Sequence, residues 1–235
     1  MTANQKTSLS EKYQLEKLNM LEQIADMVVH DMRNPLSSIK MGLTTLINRS
    51  NPEERDRTFM EIMVKEVENL EDILKNLLDI AKPQNLRLSQ TNINQVVNQA
   101  LDRTTENFGE REIKIEKTLN PDLPPVQTDK DRLLRAISAL IMNAGQSIEK
   151  SGTIRIQSNL DNETSQLKIL IQDDGEGIPS ENINQVFDPF FSTRPRGRGL
   201  GLTYVKNTIN AHKGQLKIES DGSKGTAITL YLPVQ

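Results

Sequence analysis

The first third of the chain carries apolar residues at alternating intervals of three and four positions, in two runs separated by a short polar stretch. This spacing puts the apolar side chains on one stripe of an α-helix, and the stripe has to be buried against other helices. The first run is Leu18, Leu21, Ala25, Val28, Met32, Pro35, Ile39, Gly42 and Leu46, and the second is Met60, Met63, Val67, Leu70, Leu74, Leu77 and Ala81. The pattern therefore predicts two long helices, over about residues 10–47 and 53–81.

The stretch Asn48-Arg49-Ser50-Asn51-Pro52 between the two runs is turn-prone, so we expect the helices to form an antiparallel hairpin. A single hairpin has too little apolar surface to bury both stripes. Two hairpins can bury them together in a four-helix bundle, and we therefore expect a homodimer formed through the hairpin. An ordinary coiled-coil dimerisation stalk would show the same spacing, so periodicity alone does not indicate chemistry.

One histidine lies on the polar side of the first predicted helix. His30 is about 160–200° around the helix from the apolar stripe, at about 100° per residue. Asn34 lies one turn further along the same face. Pro35 has no N–H to donate to the carbonyl of Asp31, so the helix should bend just past the histidine. A proline inside a helix costs about 3 kcal/mol of helix propensity, which suggests that the position serves a function.

Composition excludes several classes of protein. The net charge is −3 and aromatic residues make up 3% of the chain, so a basic, aromatic-rich surface for nucleic acid is not expected. Cysteine is absent, which rules out a disulfide framework or a thiolate metal site and suits a reducing cytoplasm. No apolar run is long enough for a membrane segment, and no signal peptide is recognisable. We expect a cytoplasmic location, with any sensor or membrane region outside this chain.

The helical pattern stops near Lys82-Pro83-Gln84, and alternating helices and strands follow. We therefore predict two domains, a helical domain over residues 1–84 and a second domain over residues 85–235. Predicted helices of the second domain cover about residues 91–108, 129–150 and 200–212, and predicted strands cover about residues 113–117, 124–128, 153–158, 167–173, 215–220 and 226–232. This arrangement is typical of an α/β layer sandwich.

Two polar residues in the second domain stand out from apolar surroundings. Asn143 lies on a mainly apolar helix, where it is either a hydrogen-bonded core residue or an oxygen ligand for a hard cation such as Mg²⁺. Asp173 ends a predicted strand and is followed by Gly175 and Gly177. A carboxylate there can accept a hydrogen bond from an exocyclic amine, and the glycines let the backbone approach a flat ligand. A plain acidic turn would show the same residues.

A glycine-rich stretch, Gly197-Arg198-Gly199-Leu200-Gly201, opens a predicted helix. Backbone N–H groups at a helix N-terminus bind anions, and Arg194, Arg196 and Arg198 are candidate phosphate partners. A dinucleotide-binding fingerprint would require a strand directly before the glycines. An arginine–proline loop precedes them instead, so we reject a Rossmann fold.

Taken in order, these motifs resemble the catalytic core of the sensor histidine kinases of two-component signalling. The matching stretches are His30-Asp31-Met32-Arg33-Asn34-Pro35-Leu36 (phospho-acceptor box), Asn143-Ala144 (asparagine box), Asp173-Asp174-Gly175-Glu176-Gly177 (the D-x-G-x-G motif), Phe187–Phe191 (phenylalanine box), Gly197–Gly201 (second glycine box) and Gly225-Thr226. Together they span residues 30 to 226 of the chain.

The resemblance implies a fold and a set of cofactors. The hairpin would be a dimerisation and phosphotransfer domain, and the second domain a GHKL (Bergerat-type) α/β sandwich that binds ATP and Mg²⁺. In this family the aspartate of D-x-G-x-G reads the adenine amine, the asparagine holds Mg²⁺, and a lid covers the phosphates. Carried over to this chain, the binding residues are Asn143 (also the metal ligand), Asp173, Gly175, Gly177, Arg194, Gly197, Arg198, Gly199, Leu200, Gly201 and Thr226.

The resemblance also implies a reaction. His30 would take the γ-phosphoryl group of ATP with Asp31 as general base, and would pass it to an aspartate of a response regulator. Asn34 fits the family position that places water for the reverse reaction, dephosphorylation of the regulator. His212, which precedes Lys213-Gly214, is interpreted as a structural turn residue rather than a second phospho-acceptor.

Two positions depart from the family pattern. Ala139 stands where ATP-hydrolysing GHKL proteins have a glutamate, which favours transfer to a histidine over hydrolysis by water. Gln146 stands where many relatives have a basic residue, so phosphate contacts would depend more on the lid arginines. Two other functions stay open at this point: a GHKL ATPase that drives a conformational change, and a dimeric scaffold that binds ATP without transferring phosphate.

Overall fold

The computed structural model describes residues 31–32, 34–42, 45–46, 56–64, 66–67, 70, 86–161, 164–194 and 197–234. The chain divides into two compact units, Met1–Leu78 and Asp79–Gln235, which are treated separately below. The predicted domain boundary after residue 84 falls outside the described residues and stays a prediction.

In the first unit, all described residues between 31 and 46 and between 56 and 70 are helical, as the apolar spacing predicts. Pro35 is buried and Asn34 is exposed, so the apolar and polar faces of the first helix lie as predicted around this position. Gly42 and Met63 lie against each other, which brings the two helices into contact. His30 lies outside the described residues, and dimerisation through the hairpin stays a prediction.

The second unit contains a five-stranded sheet and a separate two-stranded one. Its elements are β1 (Ser89–Thr91), α1 (Ile93–Thr104), β2 (Glu112–Leu119), β3 (Val126–Thr128), α2 (Lys130–Ser147), β4 (Ser151–Asp161), β5 (Gln166–Asp173), α3 (Gly201–Ala211), β6 (Gln215–Ser220) and β7 (Thr226–Pro233). The larger sheet has the order β2-β4-β5-β7-β6, with β2 and β4 parallel and the other pairs antiparallel. β1 and β3 form the smaller sheet.

The three helices and one face of the larger sheet share a single apolar core. Strand β5 shows why: Leu167, Ile169 and Ile171 are buried and alternate with half-buried residues, as expected for a strand with one face in the core. Helix α2 contributes residues such as Leu133, Ile137 and Ile141, at intervals that place them on one helix face. The predicted helical domain followed by an α/β sandwich is thus confirmed.

Helix α2 begins at a buried polar cluster. The Asp129 side chain caps the helix by accepting a hydrogen bond from the Arg132 backbone N–H at 3.1 Å, and it also accepts one from the Arg87 N–H at 3.0 Å. The Asp129 N–H donates to His212 Nε2 at 2.9 Å, and His212 Nδ1 lies 2.7 Å from the carbonyl of Thr208. The network therefore places the ring proton on Nδ1. With both ring nitrogens bonded and the side chain 6% exposed, His212 has the structural role expected of it.

We predict that His212→Ala destabilises the second unit, because it leaves the buried Asp129 N–H without an acceptor. Loss of one partner of a buried hydrogen bond costs about 1–3 kcal/mol, or roughly 2–12 °C in Tm for a protein of this size. Thermal unfolding followed by circular dichroism measures the effect. The control is Asn210→Ala, an exposed position two residues earlier, which should leave Tm nearly unchanged. Equal Tm values for both variants would contradict the structural role of His212.

Candidate functional site

A buried carboxylate lies at the centre of the candidate site. Asp173 ends β5 and is 5% exposed. Its Oδ1 accepts hydrogen bonds from the Ser147 hydroxyl at 2.7 Å and from the Gly175 N–H at 3.0 Å. Burial raises the pKa of Asp173 above its ordinary value, and hydrogen bonds from Ser147 and from the backbone of Gly175 and Thr226 offset part of this increase. The carboxylate is thus incompletely compensated, and a ligand that donates a hydrogen bond would stabilise it.

The backbone around Asp173 is tightly packed. The register that pairs Gln172 with Ala227 places Asp173 opposite Thr226, which is buried at the start of β7. Gly175 allows a close approach, because a Cβ at this position would overlap the Ser147 backbone. The Glu176 N–H donates to the Ser147 carbonyl at 3.0 Å, which fixes the turn after β5 against the end of α2. Gly177 follows in the same turn.

Asn143 and Ser147 are one helical turn apart on α2 and therefore lie on the same face. Asn143 is half-buried, and its Oδ1 accepts a hydrogen bond from Arg194 Nη1 at 3.1 Å. The carboxamide oxygen thus faces the loop that contains Arg194 rather than the apolar core. Of the two interpretations that the sequence left open, this position argues against a hydrogen-bonded core residue and supports an oxygen that a ligand could reach in place of Arg194.

The loop from Phe190 to Gly201, called the lid below, is held together at its base. The Phe190 N–H donates to the Gly199 carbonyl at 2.9 Å, and the Thr203 hydroxyl donates to the Phe187 carbonyl at 3.1 Å. Gly199 has a φ of +63°, and a Cβ there would overlap the backbone of Phe190. Glycine is therefore required where the two ends of the lid meet.

The lid leads directly into α3. Leu200 is buried at the helix start, and no side chain within the described residues caps this N-terminus. The first N–H groups of α3 are consequently available to an anion. Gly197 and Arg198 are exposed in the lid, and Gly201 begins the helix. Arg196 lies outside the described residues.

The structure brings most of the predicted binding residues together. Asp173, Gly175 and Thr226 surround one end of β5, and Asn143 contacts the lid through Arg194. Asp31 and Asn34 belong to the first unit and His30 lies outside the described residues, so the roles of these three residues stay predictions. Two residues of the site were missed. Ser147 follows Asn143 by four positions, a spacing that could have indicated the shared face, whereas no sequence signal linked Glu176 to the lid.

The residues present fit a nucleotide with a divalent cation. A buried acceptor at Asp173 suits the exocyclic amine of adenine, and the lid and the start of α3 suit phosphates. No group of three or more His, Cys, Asp or Glu residues in the described part of the chain could hold a metal by itself. Mg²⁺ bound to nucleotides needs only one or two protein oxygens, because phosphates and water supply the rest. The Asn143 carboxamide fits this requirement.

Among the helices that the structure describes, none combines the length and the apolar character that a membrane crossing requires.

Comparison with known proteins assigns both halves of the chain. Residues 20–86 match the His Kinase A (phospho-acceptor) domain. Residues 128–235 match the family described as histidine kinase-, DNA gyrase B-, and HSP90-like ATPase. The first match contains His30, and the second contains Asn143, Asp173 and the lid. ATP binding by the second domain is supported at the level of the family.

Similar proteins point to the same family. The sensor histidine kinase ZraS of Escherichia coli (strain K12) is 34% identical over 219 residues, which are 93% of this chain and 47% of ZraS. The chain thus spans about half the length of the curated relatives it matches. Among solved structures, a mycobacterial sensor histidine kinase, MprB, has a TM-score of 0.56 at 28% identity and covers 62% of this chain and 97% of its own.

A second solved structure, the histidine kinase ThkA in complex with the response regulator TrrA, has a TM-score of 0.74 at 23% identity. The match covers 100% of this chain and 68% of ThkA, and at this identity it shows the shared fold. The two domain matches, their order along the chain and the ZraS similarity agree with the resemblance found in the motifs. The chain belongs to the sensor histidine kinase family and carries its phospho-acceptor domain followed by its ATPase domain.

Proposed function

We propose that the protein is an ATP-dependent protein-histidine kinase that phosphorylates His30 and then transfers the phosphoryl group to an aspartate of a response regulator. The observation that carries the proposal is the buried Asp173 carboxylate, held by Ser147 and Gly175 beside a lid that contacts Asn143. This arrangement offers separate places for the adenine, the metal and the phosphates of one nucleotide.

In the proposed complex, Asp173 accepts a hydrogen bond from the adenine amine, with Thr226 supporting the same edge of the base. Asn143 contributes a ligand to Mg²⁺, and the lid with the N-terminus of α3 binds the phosphates. Arg194 and Arg198 are the described lid arginines that can neutralise phosphate charge. When bound, Mg²⁺ would offset negative charge on the transferred group.

In the transfer itself, an imidazole nitrogen of His30 forms a bond to the γ-phosphorus while the bond between that phosphorus and the β–γ bridging oxygen breaks. ADP leaves, and Asp31 accepts the imidazole proton. Ala139 supports transfer over hydrolysis, since it lies one turn before Asn143 and has no group that could activate water. The same residue argues against an ATPase that only changes conformation.

The hairpin is the proposed site of dimerisation and of docking by the regulator. Several of its large apolar side chains are exposed in the single chain, including Leu36 (53%), Met41 (65%), Ile62 (49%) and Val64 (59%). Pairing of two hairpins in a homodimeric four-helix bundle would cover such surface. The complex of ThkA with TrrA supports a response regulator as the partner. Because ATP is the proposed donor, we place both domains in the cytoplasm.

We predict that His30→Ala and His30→Gln abolish autophosphorylation while ATP affinity and dimerisation stay nearly unchanged. The measurement is incorporation of label from [γ-³²P]ATP with Mg²⁺, followed by acid treatment, which removes phosphate from histidine. The chain contains two histidines, so His212 is the next candidate if a His30 variant still carries acid-labile label. Full labelling of the variant would contradict His30 as the acceptor. ATP binding without labelling of the unaltered protein would indicate a scaffold instead.

We predict that Asp173→Asn weakens ATP binding, because an amide replaces the carboxylate that accepts from the adenine amine. A hydrogen bond to a charged group contributes roughly 1.5–3 kcal/mol, which corresponds to about a 10- to 150-fold loss of affinity. Calorimetric titration with ATP measures it. Asp174→Asn is the matched control, since Asp174 is exposed and its Oδ1 accepts from the Thr153 N–H, a bond that an amide oxygen keeps. Equal ATP affinities for the two variants would contradict recognition of the adenine amine by Asp173.

Two residues near His30 should separate the two activities of the first domain. Asn34 is exposed and its amide can position water but cannot accept a proton, whereas the Asp31 carboxylate can. We predict that Asn34→Ala retains most autophosphorylation and loses most dephosphorylation of the regulator. Asp31→Asn should do the reverse. Both rates are measured on each purified variant with the cognate regulator. If each substitution reduced both rates equally, the separate roles of Asp31 and Asn34 would be contradicted. The helix surface around His30 would then act as one docking surface.

A further inference from the structure

One lid residue, Arg194, makes several hydrogen bonds at the proposed metal-binding end of α2. The Arg194 Nη1 donates to Asn143 Oδ1 at 3.1 Å and to Gln146 Oε1 at 3.0 Å, and its Nη2 lies 3.5 Å from the Asn143 carbonyl. Nη2 and Nε donate to Glu176 Oε1 at 3.3 and 3.4 Å. A single guanidinium therefore joins the lid to α2 and to the turn after β5.

The acceptors around Arg194 are arranged to hold a cation. Asn143 and Gln146 are three residues apart on α2, so both carboxamides lie on one face. Glu176 supplies the negative charge from the other side, and the Arg194 side chain is 28% exposed, against 60% for Glu176. The Arg194–Glu176 ion pair with the Gln146 carboxamide is called the latch below.

We infer that the latch competes with Mg²⁺ for Asn143, an inference that rests on the proposed function. Mg²⁺ on Asn143 Oδ1 would bind at about 2.0–2.1 Å, and the guanidinium nitrogen lies 3.1 Å from the same oxygen. A magnesium ion and a guanidinium group that contact the same oxygen would repel each other strongly. The metal can therefore occupy Asn143 only when Arg194 moves away, and Arg194 is then available to the phosphates. Glu176 and Gln146 are positioning residues in this scheme, because they act through Arg194.

Competition of this kind lowers the apparent affinity for the metal. In molecules whose latch is closed, Arg194 has to leave Asn143 before Mg²⁺ can bind. A more stable latch therefore raises the Mg²⁺ concentration that ATP binding requires. A weaker latch should lower it. A surface ion pair of the Arg194–Glu176 type contributes little free energy. Its loss corresponds to about a two- to fivefold change in a binding constant.

The test measures binding of trinitrophenyl-ATP by fluorescence while Mg²⁺ is titrated. For Glu176→Gln and for Gln146→Ala, we expect the half-saturating Mg²⁺ concentration to fall about two- to fivefold relative to the unaltered protein. Glu181→Gln is the matched control, because it removes an exposed carboxylate five residues further along and should leave the value unchanged. An unchanged or higher Mg²⁺ requirement in Glu176→Gln would overturn the latch. The higher value would mean that Glu176 attracts Mg²⁺ itself.

A double-mutant cycle identifies Arg194 as the intermediary. In the background of Arg194→Ala, Glu176→Gln should produce no further change in the Mg²⁺ requirement. A twofold or larger change that persists there would overturn the inference. Binding of trinitrophenyl-ATP in EDTA separates this inference from the proposed function. If the unaltered protein binds no nucleotide at all, both are contradicted; if it binds and Glu176 has no effect, the latch alone is contradicted.

Discussion

The hydrogen bond between Ser147 and Asp173 joins the end of α2 to the end of β5, and the candidate site is built around this junction. The same α2 terminus accepts the Glu176 N–H, so the turn after β5 is fixed by two contacts to one residue. Asn143 projects from the preceding turn of α2 toward the lid. A helix and a strand that share one core thus position groups that are far apart in the sequence.

Holding a carboxylate in this place works against the stability of the fold. Burial is the largest influence on Asp173 and raises its pKa, so the folded state binds a proton more tightly than the unfolded chain does. Stability therefore decreases as the pH rises through the folded-state pKa, and the ionised form is the less stable one. A bound hydrogen-bond donor would return part of that free energy. The buried carboxylate of Asp173 therefore destabilises the apoprotein and favours the ligand-bound state.

Local patterns made much of this fold predictable. The alternation of β5 and the apolar face of α2 are properties of short stretches, and the motifs around Asn143 and Asp173 lie directly on them. The parallel pairing of β2 with β4 was not predictable, because it joins segments separated by α2 and depends on packing. The predicted helix over 91–108 ends at Thr104 and continues as a 3₁₀ turn to Phe108, a change in hydrogen bonding that periodicity does not report.

The contacts of Arg194 show a different limit. Its side chain is long, and its partners lie on α2 and in the turn after β5, about 20 to 50 positions away in the sequence. Residue type made it a candidate phosphate partner, but only the tertiary placement of the lid shows which oxygens it contacts. Roles for Asp31 and Asn34 could be predicted from their motif, whereas their distance to a bound nucleotide depends on how two separate domains meet.

Asp129, the capping residue of α2, also connects this helix to the segment that precedes β1. Asp129 accepts hydrogen bonds from the backbone N–H of Arg87, in the segment before β1, and from the backbone N–H of Arg132, in the first turn of α2. Asn143 lies on the same helix about 20 Å further along, at 1.5 Å per residue. The segment before β1 and helix α2 are therefore bonded to the same carboxylate. Pulling residues 86–88 away from the domain would remove the hydrogen bond to Oδ2 of the carboxylate whose Oδ1 caps the helix that carries the proposed metal ligand, and would leave that capping side chain less firmly held.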